Sequence, residues 1–140
     1  MLVEEVMFAA MLFAISITAL TQFAVYYWRA VLSAVAAQPI SVQVLESAAV
    51  EGGRITAGHF EILAELHDLT VELSPYNRGI RGVRAYHAVV HAIGRTLGAK
   101  SSALAAWVDR ERAICARYAA VQIDRRLQDN LALAASLRSC

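Results

Sequence analysis

At 140 residues and a formal net charge of +1, the chain is long enough for one thin hydrophobic core and lacks the positive balance of a nucleic-acid-binding protein. Its two cysteines, Cys115 and Cys140, make neither a metal signature nor a disulfide framework. With no Walker-type spacing, internal repeat, low-complexity tract or sustained heptad pattern, neither catalysis nor a bound cofactor is expected.

The first element is the most informative. From Val6 to Trp28 there is no charged residue, and the run closes on Tyr26, Tyr27, Trp28 and Arg29. At 1.5 Å per residue it covers the roughly 30 Å hydrocarbon core, and aromatic rings followed by an arginine suit the headgroup level, so these four residues are expected to anchor a membrane-spanning helix. A signal peptide would begin with basic residues and carry a shorter apolar run, whereas this one begins with Glu4 and Glu5. Good helix formers continue to Gln38, where Pro39 interrupts them, so residues 1–38 read as one helix: an anchor with a membrane-proximal extension. Within the span Ser16, Thr18, Thr21 and Gln22 are polar, while Ala9, Ala10, Ala14 and Ala19 allow close approach. That pattern favours a protein partner in the membrane or a second copy of the chain, with Ser16 and Gln22 as contact residues.

Every Lys and Arg follows the span, so the positive-inside rule predicts a single-pass protein of the inner (cytoplasmic) membrane, N-terminus out and C-terminal domain cytoplasmic. Twelve of the 13 basic residues are arginine, a bias that suggests a GC-rich bacterial genome.

Residues 39–55 read as a linker, either extended or a short amphipathic helix, ending in the break Gly52-Gly53. Residues 56–140 read as a helical domain of about three helices. Thr56 is a plausible N-cap, and from His59 to Leu73 the residues Ile62, Leu63, Leu66, Leu69 and Leu73 share a face by the helical period. His59 falls on that face as a core histidine; His67 beside Asp68 has the pairing of a base held by a carboxylate, with no nucleophile to serve. After the break Ser74-Pro75-Tyr76-Asn77 a second helix is predicted from Gly79 to Leu97, with Val83, Tyr86, Val90, Ile93 and Leu97 as its apolar stripe. A third starts at Ser101 or Ser102 and carries Leu104, Trp107, Ile114, Tyr118 and Val121 on one face, with Val108 and Cys115 at its margin. Beyond Asp124 it loses periodicity.

Charge is segregated along this domain. Glu46, Glu51, Glu61, Glu65, Asp68 and Glu72 precede a segment with Arg78, Arg81, Arg84, Arg95 and Lys100 and no acid. Arg78, Arg81 and Arg84, spaced three apart among glycines, suit contact with a phosphate, or pair with the acids of the preceding helix across a hairpin. His87 and His91, four apart on one helix, have the spacing of metal or haem ligands. Ala88 stands where a zincin has glutamate, and Arg84 and Arg95 oppose a cation, so they are minor candidates and no metal is expected.

The stretch Met1-Leu2-Val3-Glu4-Glu5-Val6, followed by an apolar helix ending in tyrosine and arginine, resembles the mature N-terminus of a type IV pilin. The resemblance covers about Met1 to Arg29. It implies a filament subunit, Glu5 as assembly residue, and Cys115 with Cys140 in a C-terminal disulfide loop. The additional Glu4, and a helical body where many pilins carry a β-sheet, depart from it. The sequence is therefore expected to encode an all-α protein: a single transmembrane helix and a small helical domain. Its expected role is that of a non-catalytic accessory or scaffold subunit of a membrane assembly, contacting membrane lipid and protein partners or forming a homo-oligomer. A pilin-like subunit or an anchored metal or haem protein is the alternative.

Overall fold

The computed structural model describes residues 2–47, 54–70, 79–98 and 101–138, and among them regular structure is entirely helical. Helix α1 spans Leu2–Ala36, α2 Val42–Ser47, α3 Phe60–Leu69, α4 Gly79–Leu97 and α5 Ser102–Arg138. The all-α expectation holds: a long apolar N-terminal helix followed by a helical domain. With 35 residues, α1 is roughly 52 Å long. It divides into two parts by exposure. Residues 4–27 are exposed throughout, whereas Leu32 and Ala36 are buried and Trp28 and Val35 half-buried. The last turns of α1 therefore belong to the domain, which the sequence places wholly after residue 55.

Helix α5 is the centre of the bundle, touching α1, α2, α3 and α4. The reason is residue size. Cys115, Ala116, Ala119 and Ala120 have no exposed surface, and short side chains let neighbouring helices close in from different sides. A helix covered on several sides buries residues beyond the single apolar stripe its sequence shows. Cys115, placed at the margin by periodicity, is fully buried. Leu131, Leu133 and Leu137, by contrast, are exposed on the last turns.

Side-chain contacts define the helix directions. Arg29 meets Glu111, the Ala36 carbonyl accepts from Arg117 Nε at 2.9 Å, and Gln38 Oε1 accepts from Arg125 at 2.7 Å, so α1 and α5 run parallel. On α4, Gly79 lies against Tyr118, Tyr86 against Glu111 and Gly94 against Val108, so α4 is antiparallel to both. A Cβ on Gly94 would stand 2.8 Å from Val108 Cγ1, so glycine here permits the close α4–α5 approach.

Of the two readings for the segment 39–55, the short helix is the one that forms: α2 buries Val44 in the main core, with Ile40 packed alongside. Three expectations for α3 and its histidines change. Helix α3 ends at Leu69 because Thr70 turns extended, with its hydroxyl on the Leu66 carbonyl at 2.6 Å; residues 71–73 lie outside the described residues. Its buried face is Phe60, Leu63, Ala64 and His67, while Ile62 and Leu69 are exposed, so the helix is rotated from the orientation its leucines suggest. The two histidines exchange roles accordingly. His59 is half-buried, its Nδ1 accepting the Thr56 N–H at 3.0 Å in the turn Ala57–His59, and His67 is the core histidine.

Candidate functional site

The strongest constellation is the junction of α1 with α4 and α5. At its base Trp28 lies over Gly82, where a Cβ would come within 2.8 Å of the indole. Next to it the Arg29 guanidinium pairs with Glu111, whose second oxygen accepts the Tyr86 hydroxyl at 2.8 Å. Glu111 is only 1% exposed, and these two donors satisfy its buried oxygens. Arg29 also stands 5.9 Å from the Trp107 ring centroid, within cation–π range. Burial and the hydrogen bond to Glu111 push the Tyr86 phenol far above its ordinary pKa, so it remains a donor at any working pH. This cluster holds the exposed apolar length of α1 rigidly to the bundle.

Of the four residues expected at the headgroups, Tyr26 and Tyr27 are exposed as an interfacial belt requires. Trp28 and Arg29 are instead engaged with Gly82 and Glu111, because α4 and α5 reach the same level of α1. Glu111 was missed as a site residue because it reads as one more surface charge in Asp109-Arg110-Glu111-Arg112. The available signal was its position: it shares the helical face of Trp107, Ile114 and Tyr118, so a carboxylate there needs a buried partner.

The polar residues of the apolar stretch divide. Ser16, Thr18 and Thr21 each donate at 2.8 Å to the carbonyl four residues back, so their hydroxyls are satisfied within α1. Gln22 has no hydrogen bond among the described residues and lines an open groove with Ala14, Ile15, Thr18 and Ala19. In the basic stretch, Arg84 pairs with Asp68 at 2.6 Å and donates to the Ala64 carbonyl at 2.7 Å, crossing from α4 to α3 as the hairpin pairing predicts. Arg81 is exposed with no ion pair among the described residues, and Arg78 lies outside them.

His87 stacks on Phe60 with centroids 3.9 Å apart, and His91 lies 6.3 Å from His87 on the same face. Burial, then Arg112, holds the His87 pKa below its ordinary value. Among the described residues no three His, Cys, Asp or Glu side chains converge as metal ligands do. His67 is buried, with neither ring nitrogen hydrogen-bonded and Asp68 Oδ1 at 3.6 Å. Burial lowers its pKa, as does Arg126. Burial also pushes the Cys115 thiol up to about 12, which leaves it unreactive. Cys140, and with it the disulfide loop that the pilin resemblance implies, lies outside the described residues.

No family model, curated protein or solved structure matches this chain.

Proposed function

We propose that this chain is a single-pass membrane protein acting as a non-catalytic interaction subunit of a membrane assembly, its helical domain held at the membrane surface. The observation that carries the reading is the exposure of residues 4–27. This stretch of α1, long and apolar enough to cross a membrane, is left wholly uncovered by the domain to which its other end is locked. The uneven distribution of Lys and Arg supports a cytoplasmic domain at the inner membrane. Gln22 and the small residues beside it support a protein contact within the membrane, whether with a second copy or with another helix.

Purification of the tagged full-length chain in mild detergent, with mass spectrometry of what accompanies it, tests the reading. The expected result is a stoichiometric complex or a homo-oligomer that Gln22→Leu weakens by roughly 1 kcal/mol. A monomer recovered alone, or an oligomer indifferent to Gln22→Leu, removes the α1 face from the proposal.

A further inference from the structure

Helix α3 begins at Phe60, on His87, and further along α4 the groove between α4 and α5 loses that cover. There a cleft of about 210 Å³ opens, walled by Gly94, Gly98, Ala105 and Val108 and carrying the polar side chains His91, Arg95, Asp109 and Arg112. Two of those four are guanidinium cations, Arg95 and Arg112. Neither Arg95 nor Arg112 forms an ion pair among the described residues, and Arg112 Nε is buried without a hydrogen-bond partner. Asp109, exposed at the rim, is the one acid lining the cleft, within ion-pair distance of neither arginine. Arg112 is thus held half-buried with its Nε unpartnered among the described residues, beside a recess with room for a small tetrahedral group.

We propose that this cleft is a binding site for a phosphate-type oxyanion, held by the Arg95 and Arg112 guanidinium groups with the His91 imidazole beside them. Guanidinium forks match phosphate oxygens, whereas a metal cation would be repelled by the same pair. The cleft's place in the fold favours a lipid headgroup as the source, a step that rests on α1 spanning the membrane. Arg112 follows Glu111, which grips Arg29, and α5 runs parallel to α1. The Gly98–Ala105 end of the cleft therefore points along α1 toward Tyr26 and Tyr27, the level of the phosphates.

The test uses the full chain in two arms. In the first, it is reconstituted in nanodiscs of phosphatidylcholine with and without phosphatidylglycerol, and retained lipid is read by native mass spectrometry. In the second, inorganic phosphate is titrated in neutral micelles while the His91 imidazole resonances are followed. Specific retention of phosphatidylglycerol, weakened about tenfold by Arg95→Gln or Arg112→Gln and unchanged by Arg110→Gln, supports the site with a lipid as ligand. Saturable inorganic phosphate binding with the same variant pattern, and no lipid preference, supports the site with a soluble oxyanion. If Arg95→Gln and Arg112→Gln bind both probes as the unaltered chain does, or neither probe binds, the proposal is overturned. Arg95 is exposed, so its variant folds whatever Arg112 contributes to the core. Flotation with pure phosphatidylcholine vesicles reports separately on the span: failure there sinks the membrane reading while the phosphate arm still judges the cleft.

Discussion

Glu111 shows how one residue changes meaning between sequence and structure. As a letter among Asp109, Arg110 and Arg112 it is a surface charge; in the fold it is buried, with Arg29 and Tyr86 on its two oxygens. Removing the cation leaves a buried carboxylate short of its counter-charge, so Arg29→Met is expected to lower stability by about 3 kcal/mol, measured by urea unfolding of the full chain in detergent. The double variant Arg29→Met/Glu111→Leu is expected to recover much of that loss, since an apolar pair carries no desolvation cost. His67 sets a pH dependence. Its folded pKa lies below the unfolded value of 6.5, so above about pH 6.5 both states are neutral and the folded state is unpenalised. As pH falls below that value the unfolded chain takes up a proton that the buried imidazole refuses, and stability declines. Urea midpoints between pH 7.5 and 5 are expected to fall, with a shallower slope in His67→Phe. An unchanged slope would assign the dependence to other groups, His87 first among them.

At the scale of elements, periodicity located the helices better than it oriented them. The end of α4 at Leu97 is the one predicted, because the apolar stripe and the glycine that follows it, Gly98, are local signals. The buried face of α3 differs from the periodic one, since Ile62, Leu63, Leu66, Leu69 and Leu73 suggest one side while packing selects another. Phe60 stacks on His87 and Arg84 reaches Ala64 and Asp68, and these contacts with α4 turn Ile62 and Leu69 outward. Helix-to-helix distance is set by single residues in the same way. Gly82→Val would drive a branched side chain into the space of the Trp28 indole, so a loss of about 2 kcal/mol is expected. A red shift of tryptophan emission in detergent would accompany it; unchanged emission and stability would mean that the α1–α4 contact is dispensable.

For the whole molecule, the consequential finding is that the apolar helix and the domain share a core. Leu32 and Val44 lie in the same cluster as Phe60, Leu63 and Cys115, and Trp28 and Val35 pack against it. A fragment beginning at Pro39 is therefore expected to lose cooperative unfolding by circular dichroism, whereas one beginning at Tyr26 retains it. Cooperative melting of the shorter fragment would show that α1 adds nothing to the bundle. Of the candidate site, the sequence made legible the residue types, an arginine closing an apolar run and two histidines on one helix face, because these depend only on order along the chain. It also determined that the chain is helical, where its breaks fall, and that one helix is long and apolar enough to cross a membrane, since hydropathy, period and Pro or Gly punctuation are local properties. Only the tertiary structure decided that Arg29 serves the core, that His67 is buried and His59 is not, and that His91, Arg95 and Arg112 line one cleft. Those facts depend on which faces of separate helices meet, and residues 29 and 111 become neighbours only through packing against a shared central helix.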